Sequence, residues 1–341
     1  MKAEAAISRS GKDGTVPRGV TLEAIQLPVR EKLDAVSRAM AAIVTSELPL
    51  VGQVSAHLLA MRGKLFRPTL LLLSSDVEEK SEVQAVTLAA SLELIHLATL
   101  VHDDAVDHSA LRRGMPTVNA LFSHQISVIM GDFLYSTALT HLVGLGDLAS
   151  LQALTRASTE MTLGEMRQLG ILDPLRFTER EYFDLIRSKT ASLMGTACEL
   201  GALSGARDYC DQLVQFGQNL GMAFQITDDL LDYRELKETT GKPSGLDLRE
   251  HKVTLPLIYA LREMTAASRS QVERLFSTET ADDDQIATVV QIVAESGGFE
   301  YARKRGEEFA EAAHEALTDL PDTVARRSLS ASISYVMERH S

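Results

Sequence analysis

Strict alternation of apolar and polar residues, the signature of a half-buried strand, is missing along this chain. Helix-favouring composition fills long stretches between prolines instead. Residues 69–115, 117–173, 175–242 and 257–320 contain no proline, run far beyond strand length and are rich in Ala, Leu, Glu and Met. From about Leu22 the pattern predicts helix after helix. Breaks fall near Pro49, Gly63–Pro68, Val77–Ser81, His108–Pro116, Gly144–Asp147, Asp173–Thr178, Ser204–Asp208, Lys237–His251 and Gly297–Gly298. Residues 81–107 predict one largely buried helix, apolar nearly all round, that turns abruptly acidic at its C-terminal end. Residues 1–20 lack helical periodicity and a signal-peptide core and are expected to be a disordered tail. No linker divides residues 21–341, which are expected to form a single all-α domain.

Composition narrows the class. Acids outnumber bases 47 to 34, a net charge of −13, which argues against general nucleic-acid binding. The two cysteines, Cys198 and Cys210, form no metal or disulfide pattern and suit a reducing cytoplasm. No run of eighteen apolar residues predicts a membrane span.

The chemistry concentrates in LVHDDAVDHSALRRG, residues 100–114, where Asp103, Asp104 and Asp107 precede Arg112 and Arg113. Carboxylates at a helix C-terminus oppose the macrodipole, a cost of up to about 1 kcal/mol that a bound cation would reverse. QITDDLLD repeats the spacing with Asp228, Asp229 and Asp232. On a helix the first and last acid of each cluster share a face, as oxygen ligands to a hard cation such as Mg²⁺. A basic, glycine-containing loop follows each cluster, LRRGMP and then GKPSGLDLREHK. Arginine forks and lysines bind the phosphate oxygens that such metals bridge, so acid and base stand together around a polyanion.

With these motifs the chain resembles the trans-type prenyl diphosphate synthases, all-α enzymes that condense isopentenyl diphosphate onto an allylic diphosphate. The resemblance covers Leu22 to the C-terminus. It implies the isoprenoid synthase fold, a bundle of about ten or more helices around a deep central cavity. It also implies Asp103, Asp107 and Asp228 as Mg²⁺ ligands, with Asp104, Asp229 and Asp232 as further ligands or water holders. GKLFRP implies Lys64 and Arg67 as contacts to isopentenyl diphosphate, joined by His96 and Arg113. Arg112, Lys189 and Lys242 would face the allylic diphosphate. Thr190, Phe224, Gln225 and Lys252 match further substrate-binding positions, and Thr190 and Gln225 would supply neutral dipoles to a carbocation. The first motif departs from the family's usual GGKRxRP at Arg62 and Leu65. A homodimer is expected through the resemblance, and the insolubility of a long polyprenyl product predicts loose contact with a membrane surface at release.

In the family a bulky residue four or five positions before the first acid stops the growing tail. Here those positions are Ala98 and Thr99, both small, with Met130, Phe133 and Leu134 expected as a deeper floor. These predict a product in the heptaprenyl to nonaprenyl range from a farnesyl or geranylgeranyl primer, with a shorter-chain synthase as the alternative. Two Glu-x-x-His pairs, Glu93 with His96 and Glu311 with His314, admit a di-iron carboxylate bundle as a rival of another class. A non-catalytic partner subunit is the remaining reading.

Overall fold

A computed structural model describes residues 19–61, 63–79, 84–234, 245–278 and 280–339. Among them the elements are helical except for two short strands. The chain opens with α1 (Leu22–Gln26), capped by the Thr21 hydroxyl, and runs on into α2 (Arg30–Ile43). Next come α3 (Pro49–Ala60), α4 (Phe66–Ser75) and the long α5 (Gln84–Val106). After a hairpin follow α6 (Val118–Leu121), α7 (His124–Gly144), α8 (Leu148–Leu169) and α9 (Glu179–Ile186). A π-type turn, Arg187–Ala191, leads from α9 into α10 (Ser192–Gly205). The remainder is α11 (Cys210–Arg234), α12 (Leu246–Arg249), α13 (Leu255–Glu263), α14 (Ala266–Phe276), α15 (Asp283–Glu295), α16 (Gly298–Ala316) and α17 (Val324–Met337).

Helix α11 joins two apolar cores. Its Leu213, Phe216 and Leu220 enter a core with α2, α4, α5 and α10, while Ile226, Leu230 and Tyr233 enter a second with α13, α15 and α16. The second acid cluster lies on the last two turns of α11, where the second core ends. Helix α5 packs along α7, and its Leu88, Leu92, Leu94 and Ile95 are wholly buried. By length and composition α5 and α7 are apolar enough to cross a membrane, but most of α5 is enclosed by the bundle. That burial explains why α5 is apolar all round until it reaches Asp103.

The sequence boundaries need two adjustments. Within the proline-free stretch 257–320 the Gly297–Gly298 break is joined by others: α13 ends at Glu263 and α14 at Phe276, with Thr265 and Asp282 capping the helices that follow. The acid-to-base loop is also a small antiparallel hairpin, β1 (Leu111–Arg112) with β2 (Met115–Pro116), which the all-helical reading passes over. Arg113 and Gly114 both take positive φ at its tip, as a two-residue hairpin turn requires.

Candidate active site

That hairpin explains why the two adjacent arginines serve different places. Arg112, in β1, turns back onto α5, where its Nε and Nη2 donate to the buried Asp104 carboxylate at 2.9 Å. Arg113, on the turn, reaches the other way and donates to the Met61 carbonyl at 3.2 Å.

Six aspartates were candidates for a metal, and their partners divide them. Asp104 is spent on Arg112. Asp229 is buried and accepts from the Tyr182 hydroxyl at 2.6 Å and the Gln225 amide at 2.8 Å. Asp232 accepts the backbone N–H groups of Leu246 and Asp247, fixing the start of α12. These three are positioned as holders of their neighbours. Asp103 and Asp107 share one face at the end of α5, and Asp228 is half exposed and pairs with the Arg339 guanidinium. Arg339 also lies over the Phe224 ring at 4.2 Å, so a cation already occupies the Asp228 side.

Burial pushes Asp103 up to about 6, and the neighbouring Glu165 and Asp107 carboxylates add to the rise against Lys189 and Arg112. Mutual repulsion among oxygen donors is the setting a hard divalent cation relieves, so the donor set fits Mg²⁺. Among the described residues no three acidic, His or Cys side chains are already gathered as around one ion. Since the folded pKa of Asp103 lies above its unfolded value, the group's stabilising contribution is fully present below about pH 4 and is lost as pH rises through about 6. Thermal melts in a chelator should therefore show the midpoint difference between the native chain and Asp103→Asn shift against the native chain as pH rises from 4 to 7. Millimolar Mg²⁺ should raise the native midpoint more at pH 7.5 than at pH 5.

Lys189 sits in the π-type turn, which two glycines allow its neighbours to approach closely. A Cβ on Gly164 of α8 would come within 3.3 Å of the Lys189 nitrogen, and one on Gly221 of α11 within 2.6 Å of the Ala191 Cα. The ammonium of Lys189 is held by Glu165 at 2.7 Å and by the Gln168 carbonyl oxygen at 3.1 Å, both from α8. Beside it Thr190 donates to the Gln225 carbonyl oxygen at 2.8 Å, which leaves the Gln225 NH₂ to Asp229. The relay Thr190, Gln225, Asp229, Tyr182 fixes every dipole in that wall.

A cavity of about 500 Å³ is lined by Asp107, Gln168, Lys189, Thr190, Gln225, Asp229, Asp247 and Lys252. Both acid clusters thus contribute to one space. Burial, with Asp232 beside it, pushes Asp247 up to about 7, and burial with Asp247 drives Asp229 well above the carboxylate range. A second cavity of about 690 Å³ carries Gly63, Lys64, Glu93, His96 and Arg113, with Leu33, Leu58, Leu97 and Leu100 among its apolar walls. Arg67 Nη1 donates to His96 Nε2 at 2.9 Å. Because a guanidinium only donates, His96 must be neutral with its proton on Nδ1, and burial beside Arg67 and Arg113 holds its pKa well below the usual range.

Lys242 lies outside the described residues, and so does Arg62. Ala98, Met130 and Leu134 are buried, and α5 and α7 approach so closely that a Cβ on Gly131 would overlap the His102 ring. Thr99 and Phe133 are half-buried, the Thr99 hydroxyl donating to the His96 carbonyl. The di-iron reading does not survive: Glu311 and His314 are solvent-exposed, and Glu93 with His96 is flanked by arginines that repel a metal cation.

Sequence reasoning missed Glu165, Gln168, Tyr182, Asp247 and Arg339. The three-residue spacing of Glu165 and Gln168, one helical face, was a usable signal for the Lys189 cradle. Arg339 offered none.

A family model described as polyprenyl synthetase matches residues 48–293. The chain is 38% identical to an all-trans-nonaprenyl-diphosphate synthase, geranyl-diphosphate specific, of Rhodobacter capsulatus, over 89% of this chain and 94% of that one. It is 33% identical to heptaprenyl diphosphate synthase component 2 of Bacillus subtilis, over 91% and 89%. The solved polyprenyl synthase of Caulobacter crescentus, complexed with calcium and isoprenyl diphosphate, superposes with a TM-score of 0.89 at 30% identity, over 95% of this chain and 100% of that one.

Proposed function

The chain belongs to the polyprenyl synthetase family and is a long-chain all-trans polyprenyl diphosphate synthase, and from that premise we propose how its residues divide the work. Divalent cations bind solved members of the family, and isoprenyl diphosphates are ligands there. For this chain the ion is Mg²⁺, held by Asp103, Asp107 and, once Arg339 releases it, Asp228. When bound, the ion supplies charge stabilisation for a departing diphosphate.

The remaining steps belong to the protein. Lys189 and Arg112 hold the allylic diphosphate, joined by Lys252 at the cavity wall and, through the resemblance, by Lys242. Negative charge grows on that diphosphate as the allylic carbon–oxygen bond breaks, and fixed cations stabilise it. The Thr190 hydroxyl and Gln225 carbonyl offer the carbocation neutral dipoles and no strong nucleophile. Lys64, Arg67, His96 and Arg113 present isopentenyl diphosphate, whose double bond forms the new carbon–carbon bond. The released diphosphate takes the proton that restores the alkene. The observation that carries this reading is the single cavity shared by Asp107, Asp229, Lys189, Thr190 and Gln225.

Synthesis by a homodimer completes the proposal, supported by the exposed Ile129 and Val143 on the outer face of α7, and the free Cys198 and Cys210 suit a reducing cytoplasm. Contact with a membrane surface at release is supported by Leu169 at the cavity wall and the fully exposed Leu172 beyond it. The test is incubation of the purified chain with labelled isopentenyl diphosphate, Mg²⁺ and geranyl, farnesyl or geranylgeranyl diphosphate, followed by sizing of the products. Products in the heptaprenyl to nonaprenyl range are expected. Arrest at geranylgeranyl length would refute the long-chain reading, and dependence on a second polypeptide would replace the homodimer by a heteromer.

A further inference from the structure

Glu93 lies on α5 one turn before His96, within the cluster that holds Arg67 and Arg113, and the mechanism above gives it no task. A carboxylate beside a diphosphate is a like charge, so its presence needs a reason. Three observations supply one. The Glu93 Oε1 and the Arg113 Nη1 converge on the space above Gly63, 3.4 and 3.2 Å from where a Cβ would stand there. The other carboxylate oxygen, Oε2, is buried without a hydrogen-bond partner, and so is the Nε of Arg67. An unpaired acceptor and an unpaired donor of opposite charge thus sit in one cluster, a costly arrangement unless a change of state pairs them. Finally, Arg113 holds a positive φ at the hairpin tip, a strained backbone for an arginine, and among the described residues its side chain donates to the Met61 carbonyl.

We propose that Glu93 is a positioning residue of the isopentenyl station, gathering the Arg67 and Arg113 guanidinium groups so that their outer N–H edges face one diphosphate. This deepens the functional reading above and rests on it. Burial raises the Glu93 carboxyl, and the charges of Arg67 and Arg113 beside it oppose that rise. Without that counter-charge the two arginines repel each other, and the neutral Met61 carbonyl that holds Arg113 does not offset that repulsion.

Steady-state kinetics of Glu93→Gln, Glu93→Asp and Glu311→Gln test the assignment, alongside thermal melts of each. Glu93→Gln keeps the shape and loses the charge. It should raise the KM for isopentenyl diphosphate about tenfold or more, the size of a charge interaction worth one pKa unit, with kcat and the allylic KM within about threefold. Glu93→Asp, which keeps the charge on a shorter arm, should raise that KM by only about threefold. Glu311→Gln, in the exposed Glu-x-x-His pair, should change neither constant. An isopentenyl KM that stays within twofold in Glu93→Gln, or falls because a like charge has gone, overturns the proposal. So does a parallel rise in both KM values with a lower melting midpoint, which marks a general packing defect. If Glu93→Gln does not fold, Glu93→Asp decides, and an unmoved isopentenyl KM there overturns it as well. A native chain that never incorporates isopentenyl diphosphate would remove the functional reading, whereas native turnover with unmoved variants removes only the role of Glu93.

Discussion

Asp103→Asn should slow condensation about a thousandfold, while Asp229→Asn should slow it about tenfold or less. The contrast follows from partners rather than from motif position. Asp103 stands at the end of α5 among Glu165, Asp107 and Lys189, and burial, with the like charges of Glu165 and Asp107 added, drives its pKa up. An amide there keeps the shape but cannot offer a negative oxygen to a divalent ion, and the lost stabilisation falls on the bond-breaking step. Asp229 already accepts from Tyr182 and Gln225, and its burial favours the neutral form. Asparagine keeps an oxygen for Tyr182 and disturbs only the Gln225 contact. Incorporation of labelled isopentenyl diphosphate at saturating substrates and Mg²⁺, for both variants, measures the ratio. Equal losses would mean that Asp229 also reaches the metal and that the division of the six acids is wrong.

How far this site could be read from sequence depends on whether a partner is local. The pairing of Asp103 with Asp107 on one face is a property of four residues of helix, and so is the placement of His96 two turns earlier. Both are legible from spacing. The aspartates between them are not. Whether Asp104 binds a metal or an arginine depends on the hairpin at Arg113–Gly114, and a run of helical residues on either side conceals that hairpin. Tyr182 meets Asp229 across 47 residues and Arg339 meets Asp228 across 111, joined only because α9 and the end of α17 pack against α11. The same holds for the helix limits: Thr265 and Asp282 cap real starts in a stretch, 257–296, where composition alone marks no break. Composition decides the element type, while local capping decides where it begins.

Product length is where a single side chain should have its most visible effect. In Ala98→Tyr the products should collapse to about three or four isoprene units. Ala98 is buried on the α5 face that meets α7, five residues before Asp103, and the seam around it is kept narrow by Gly131. A tail that starts at the metal station and runs back along α5 must pass this point, and a phenol ring there leaves it no path. Overpacking alone would cost about 1–3 kcal/mol, so a lower melting midpoint is expected and does not by itself support a tunnel. A second variant separates the two effects. Ser91 lies seven residues earlier on α5, fully buried, with its hydroxyl unpartnered among apolar neighbours. Seven residues of helix rise about 10.5 Å, roughly two extended isoprene units. Ser91→Phe should therefore truncate products about two units later than Ala98→Tyr. Two variants of similar instability that yield products offset in this way would mark a path running down α5; identical product lengths, or long products from folded Ala98→Tyr, would place the tail along another wall.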